Sequence, residues 1–309
     1  HTDTVGAVTL TSGGITSSTG VLTGTSYPFT SGTVSAILGG AIGLTKTTVG
    51  TVTMSGTNTY TGTTTITAGV LRANSSRALG DESGTNTLIF NGGTLRAGGD
   101  ILSPSGRTVT LTQSGLIDTN GNTITIEGTM GSANGFFKYG TGTLTTSGAV
   151  TAGTTVSISQ GTYNQVGSLA MTAGIMQIAS PGVWSNTGTG AITLAGNLTN
   201  SGTITLNSNN GTECVDGADS IVIRSSVNNT LRSWSNGTQG AGTFNIYNVD
   251  ADDMTGAIVT AYTSTLSGDT TWTVGSCIIS IAGAANGNDG ATVKVAVNGT
   301  TQGQTTTIG

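Results

Sequence analysis

Charge is scarce in this sequence. Charged residues make up 7% of the 309 positions, against roughly a quarter in ordinary soluble domains. Only nine residues are Lys or Arg, they are scattered along the chain, and the net charge is −5. Binding to nucleic acid needs clustered basic side chains that neutralise phosphates. The composition therefore argues against a nucleic-acid partner.

Histidine and paired carboxylates are equally sparse. His1 is the only histidine, so neither a Ser-His-Asp arrangement nor a Cys-His pair has a base that the sequence orients. A copper site built on an N-terminal histidine would need a second one. Enzymes that cleave polysaccharides need convergent acidic side chains, whereas the acidic residues of the first half lie far apart: Asp81, Glu82, Asp100, Asp118 and Glu127. We therefore expect a protein that is not an enzyme.

Long hydrophobic runs are also missing. The best window, Val34–Leu44, is short and interrupted by glycine, whereas a helix that crosses a bilayer needs about 18 or more apolar residues. The sequence predicts no membrane span in this chain. It also lacks a basic segment followed by a hydrophobic stretch at its start, so we expect the chain to begin after any targeting signal has been removed.

Threonine and glycine are what the chain has in abundance. The stretch Gly43–Leu71 alternates Thr with apolar residues and is broken by Gly at short intervals, which predicts short β-strands. Such strands cannot bury a core alone, so they must stack on similar copies. The residues predicted to face the interior are Val49, Val52, Met54, Ile66 and Val70.

A related stretch, Gly135–Tyr163, aligns with the first one without a gap at an offset of about 92 residues, which would suit several coils of a solenoid. In this alignment Lys46 corresponds to Lys138, and Gly69 corresponds to Gly161. The alignment adds Leu144 and Ile158 to the predicted repeat core.

These segments resemble a known repeat. The residues that carry the resemblance are Leu44–Lys46, Gly50–Gly56, Asn58–Gly62 and Thr65–Gly69, and they are similar to the passenger-associated repeat of bacterial autotransporters. The resemblance covers roughly residues 33–163. It implies a right-handed parallel β-helix that is secreted or displayed on a bacterial cell surface, and it leaves the activity open.

Changes in composition divide the chain into three parts. Residues 1–32 read as an N-terminal cap, 33–211 as the parallel β-helix, and 212–309 as a C-terminal β domain that is sandwich-like, because charged residues return there and the predicted strands lengthen. From Tyr139 through Thr212 the chain has no charged residue. Such a surface offers little electrostatic repulsion and permits self-association.

Two candidate sites fall in the last part. Cys214 and Cys277 favour one disulfide in an exported protein, with two buried free thiols as the alternative. Asp250, Asp252 and Asp253 have the oxygen-rich character of a calcium site, although a solvated turn explains them better because an EF-hand pattern is missing. No other cofactor is expected.

The function expected from these features is structural. We expect a non-catalytic extracellular protein that self-assembles through its solenoid ends and ordered termini into a filament or a surface layer. Its partners would then be further copies of the same chain. The alternative is a monomeric adhesin that binds a host or matrix glycan or a surface receptor, and a polysaccharide-acting enzyme is the weaker alternative.

Overall fold

The structure is a computed structural model of the chain. The residues that it describes are 2–166, 171–188, 191–207, 221–225, 232–236, 243–247, 249–252, 254–255, 259–262, 265–267, 273–275, 292–297 and 300–307.

Short parallel strands stacked coil upon coil form the fold. Leu44–Lys46, for example, pairs in parallel with Tyr27–Phe29 before it and with Thr64–Ile66 after it. The partners Thr45 and Thr65 are 20 residues apart, which is the length of one coil at that point. The all-β parallel solenoid predicted from the sequence is confirmed.

The strands of the coils form three faces. The strands of the first face are Tyr27–Phe29, Leu44–Lys46, Thr64–Ile66, Leu88–Phe90, Val109–Leu111, Met130–Ser132, Ile192–Leu194, Ile221–Ser225, Val249–Asp252 and Thr265–Ser267. Those of the second face are Gly14–Ile15, Gly32–Val34, Thr51–Met54, Val70–Ala73, Thr94–Ala97, Gly115–Asp118, Phe136–Tyr139, Leu198–Asn200, Arg232–Asn236 and Met254–Thr255. The longer strands Val150–Ile158 and Met171–Ile178 run through a corner and belong to both faces.

The third face completes the coil. Its strands are Thr2–Thr4, Val21–Thr23, Ile37–Gly39, Ile101–Ser103, Thr123–Ile126, Thr143–Thr146, Thr162–Gln165, Val183–Asn186, Thr203–Asn207, Thr243–Tyr247, Thr260–Tyr262 and Thr273–Gly275. In the fully described stretch 40–100 this face has no strand. There Asn58 accepts a hydrogen bond from the Leu38 amide and donates one to the Ala78 carbonyl, both at 2.9 Å. The 3-10 helix Ser76–Leu79 lies in the gap.

Alternation within each strand builds the core. Val52, Met54 and Ile66 are fully buried, and so are Leu144 and Ile158 of the related stretch. The threonines directly before Met54 and Ile66, Thr53 and Thr65, lie half-buried. Residues of one strand point to opposite sides in turn, so each coil delivers one or two apolar side chains per face to the interior.

The prediction that Val49 and Val70 face the interior is wrong. Val49 is 85% exposed because it lies in a corner, where Gly50 has a φ of 108° and turns the chain into the next strand. The alternation of sides holds only within a strand. Val70 is half-buried, since it opens a strand in which Leu71 and Ala73 take the inward positions.

The related stretches are displaced by one face. Leu44–Lys46 belongs to the first face, whereas its aligned partner Phe136–Lys138 belongs to the second. The offset of about 92 residues is therefore not a whole number of coils. What repeats is a strand, corner and strand unit that can be built at more than one edge of the solenoid.

Parallel stacking extends beyond both predicted boundaries. Thr2–Thr4 already pairs in parallel with Val21–Thr23, which pairs in parallel with Ile37–Gly39. At the other end Ile221–Ser225, which lies beyond the predicted start of the C-terminal domain at 212, stacks on Ile192–Leu194. Period-two alternation is common to coil strands and sandwich strands, which is why the sequence did not separate them.

The end of the parallel pattern lies further along the chain. Parallel pairing is described as far as Thr273–Gly275, and Thr292–Val297 pairs antiparallel with Thr300–Thr307. Among the described residues no helix is long and apolar enough to cross a membrane. Cys214, Cys277 and Asp253 lie outside the described residues, so the disulfide and the calcium site stay predictions.

Replacement of Gly161 by Ala tests the tight stacking of corners. Gly161 has a φ of 63°, and an added Cβ would lie 2.3 Å from the Gly142 carbonyl oxygen of the preceding coil. We expect Gly161→Ala to lower the free energy of unfolding by about 1–3 kcal/mol, measured by chemical denaturation. Gly106→Ala is the matched control because its nearest atom would be 3.9 Å away. Equal loss in both variants would contradict the stacking argument.

Candidate ligand-binding groove

The acidic residues singled out from the sequence do not converge. Asp100 accepts a hydrogen bond from the Thr123 amide at 2.8 Å, and Asp81 accepts bonds from the Ser83 amide and hydroxyl. Glu82 lies 3.5 Å from the Arg77 guanidinium. Within the part of the chain that is described, no three His, Cys, Asp or Glu side chains gather in a way that could hold a metal ion. These carboxylates accept hydrogen bonds from nearby backbone amides or form an ion pair on the surface.

A different set of residues does come together on the second face. Arg72 pairs with Arg96, Arg96 with Asp118, and Asp118 with Tyr139 on four successive coils. Their strand neighbours Leu71, Leu95, Ile117 and Lys138 are buried. The four residues therefore form one outward file along the solenoid, and we call them the outward file.

Three residues of the outward file, Arg96, Asp118 and Tyr139, line a groove of about 600 Å³, and Arg72 lies next to Arg96 on the preceding coil. Besides Arg96, Asp118 and Tyr139, the groove is lined by Thr94, Asn120 and Thr141, which offer hydroxyl and amide groups. Tyr139 is 40% exposed. The groove thus combines a planar cation, a carboxylate, an accessible aromatic ring and neutral hydrogen-bonding groups.

Asp118 is held by two partners. Arg96 Nε donates to Asp118 Oδ2 at 2.7 Å, and the Asn120 amide donates to Asp118 Oδ1 at 2.9 Å. Both carboxylate oxygens are engaged, so Asp118 fixes the Arg96 guanidinium and the turn at Asn120. Arg72 has no ion pair among the described residues, and its guanidinium stays available at one end of the file.

A buried lysine fastens the backbone under the groove. Lys138 Nζ donates to the carbonyls of Tyr139, Gly140 and Gln160 at 2.9, 2.7 and 3.0 Å. The side chain takes an inward position in a ladder of apolar residues, next to Ile117 and Ile158. It therefore ties the corner after Tyr139 to the corner of the following coil.

The aligned Lys46 has the same role at another edge. It is fully buried, and its Nζ donates to the carbonyls of Thr48 and Ala68. Burial lowers the pKa of Lys46, and it lowers the pKa of Lys138 to about 8, with the Asp118 carboxylate acting in the opposite direction. The two aligned lysines of the sequence repeat thus occur at corners where backbone carbonyl groups need a side-chain hydrogen-bond donor.

Sequence reasoning missed the outward file. The four residues lie in coils of different length, so no fixed spacing connects them, and they occur in the sequence as single charged or aromatic residues. Only the strand register shows that they are neighbours. The one available signal was their position within each strand, since three of them directly follow a buried apolar residue: Leu71, Leu95 and Ile117.

Comparisons with known proteins agree with this architecture. The family described as passenger-associated-transport-repeat matches residues 44–73. The chain is 33% identical over 144 residues to the Adhesin BmaC autotransporter of Brucella suis biovar 1 (strain 1330), which covers 46% of this chain and 4% of that protein. The chain therefore spans a small fraction of that relative's length. No solved structure matches. The resemblance to autotransporter passenger repeats is confirmed.

The titration of Lys138 makes stability depend on pH. Its pKa is about 8 in the folded chain and 10.5 in the absence of burial, so between these values the unfolded chain binds more protons. We therefore expect the free energy of unfolding to increase as the pH rises from about 8 to about 9.5. Lys138→Met should reduce this increase, as measured by chemical denaturation at each pH.

The measurement stops below pH 10 for a physical reason. Burial raises the pKa of Tyr60 and of Tyr163, so above their ordinary value of 10.0 the unfolded chain loses protons that the folded chain keeps, and stability falls. An identical pH dependence in the variant and the parent chain would show that Lys138 stays protonated throughout.

Proposed function

We infer that the chain is part of the extracellular passenger of a bacterial adhesin that is secreted or displayed on the cell surface. Its solenoid acts as a scaffold, and its outward side chains make the adhesive contacts. The observation that carries this proposal is the transport repeat at residues 44–73 within stacked coils that continue into the groove. The partial match to an adhesin autotransporter supports the same reading.

A non-catalytic role is part of the proposal. Glycoside cleavage uses two carboxyl groups that flank the scissile bond. In the groove, Asp118 is the single carboxylate among the described residues, and both of its oxygens accept hydrogen bonds. A positioned carboxylate of this kind suits recognition of a ligand better than proton transfer to one.

Adhesion of the intact chain tests the proposal. Beads coated with the purified 309-residue chain should bind cultured mammalian cells or extracellular matrix several-fold better than beads coated with albumin. An excess of the soluble chain should compete, because adhesion would use specific surface sites. Coated beads that bind no better than albumin beads, on cells and on matrix alike, would contradict an adhesive role.

Self-assembly is the second candidate function. The observation in its favour is the uncharged stretch from Tyr139 through Thr212, which places coils of the solenoid next to each other without outward charge. Low surface charge permits association between copies. In this case the protein would work as a filament or layer subunit.

Sedimentation separates the two candidates. If the chain self-assembles, its sedimentation coefficient should increase with protein concentration, and electron microscopy should show ordered filaments or sheets. A monomeric adhesin should sediment as one species over the same range and appear as separate short rods. Because uncharged faces have no attraction between charges that salt could screen, any assembly through them should be insensitive to salt, and dissociation at high salt would argue against packing through those faces.

A further inference from the structure

The outward file is long enough for an extended ligand. Neighbouring strands lie about 4.8 Å apart, so the three steps from Arg72 to Tyr139 span about 14 Å. A single sugar or a single phosphate would touch only one or two of these residues. A ligand that reaches both ends must be a short chain lying along the solenoid.

The charges of the outward file favour an anionic group at one end. Arg72 and Arg96 are direct cross-strand neighbours, and like charges in that arrangement repel. Asp118 neutralises Arg96 at 2.7 Å, whereas Arg72 has no anionic partner among the described residues. A ligand carboxylate could form the paired hydrogen bonds that guanidinium groups make with carboxylates, and it would relieve the repulsion.

The other end of the outward file favours a sugar ring. Tyr139 is 40% exposed, and its ring is a rigid surface with an apolar face and a polar edge. Thr141, Asn120 and Gln160 line the groove around it. Sugars present apolar C–H faces and many hydroxyl groups, so a ring stacked on Tyr139 would meet hydroxyl and amide partners at its edge.

The groove is prepared before any ligand arrives. Lys138 holds carbonyls of the corner after Tyr139 and of the corner on the following coil, and Asp118 holds Arg96 and the Asn120 amide. Side chains that are already ordered lose little entropy on binding. A shallow groove of this kind can therefore bind a flexible ligand through few contacts.

We propose that the groove lined by Arg96, Asp118 and Tyr139, together with Arg72 beside it on the neighbouring coil, binds a carboxylate-bearing oligosaccharide of a few sugar units. Arg72 binds the carboxylate, Tyr139 stacks on a sugar ring, and Arg96 with Asp118 binds hydroxyl groups between them. The inference rests on the proposed adhesive function and names the class of ligand and its site.

Isothermal titration calorimetry with the full chain tests the assignment. A galacturonate trisaccharide is the acidic probe, and maltotriose is the neutral one of similar length. We expect the acidic probe to bind and the neutral probe to bind at least about tenfold more weakly, because it lacks the group that Arg72 pairs with. Arg72→Gln and Tyr139→Ala should each weaken binding of the acidic probe about tenfold.

Arg77→Gln is the matched control. Arg77 lies on the 3-10 helix outside the groove and has a side chain that is 48% exposed, so the change removes the same charge away from the groove. Circular dichroism and the melting temperature should match the parent chain for all three variants. Equal weakening by Arg72→Gln and Arg77→Gln would overturn the site, since it would indicate general attraction to positive charge.

Other outcomes are equally decisive. If the acidic trisaccharide does not bind, or if a phosphopeptide binds at this groove while the trisaccharide does not, the inference is wrong. Binding of the trisaccharide with release of shorter products would also overturn it, because the groove would then be catalytic.

The bead assay and the calorimetry together distinguish failure of this inference from failure of the proposed function. Adhesion of coated beads without binding of the trisaccharide would refute the groove assignment and leave the adhesive role standing. Binding of the trisaccharide by a chain whose beads do not adhere would refute the adhesive role and leave a glycan-binding groove. If both hold, beads coated with Tyr139→Ala should adhere less than beads coated with Arg77→Gln.

Discussion

Backbone hydrogen bonding between successive coils is the interaction on which the rest of this protein depends. Strands of three or four residues have no stability of their own, yet each finds a parallel partner on the coil before it and on the coil after it. Stability then arises from contacts between neighbouring coils. The need for stable stacking restricts which residues can occupy the inward positions and the corners, whereas the residues at outward positions can change.

At the corners some backbone carbonyl groups accept hydrogen bonds from buried polar side chains instead of from the backbone of a neighbouring coil. Lys46 and Lys138 donate to corner carbonyls, and Arg107 donates from inside the solenoid to the Asn86 carbonyl at 2.9 Å. Burying such groups is costly unless they are hydrogen-bonded. A chain with so few charged residues thus places three of its nine basic side chains in the interior, where they complete the backbone bonding.

The sequence was sufficient for the fold and insufficient for the groove. Alternating Thr and apolar residues with glycine corners predicted stacked short strands, and the pattern failed at Val49 because a corner interrupts it. It also placed a boundary at 212, since a coil strand and a sandwich strand share one periodicity. Arg72, Arg96, Asp118 and Tyr139 became neighbours only through the register between coils of unequal length, which no local pattern encodes.

The same stacking explains how a binding surface can arise without a motif. Outward residues at one register position lie about 4.8 Å apart whatever the length of the coils between them, so a substitution on any coil can extend or remove a contact site. The core does not change when this happens, because strand neighbours face opposite sides. A solenoid of this kind can therefore vary its ligand while it keeps its fold. Its function has to be inferred from the outward residues that occupy the same register position on successive coils.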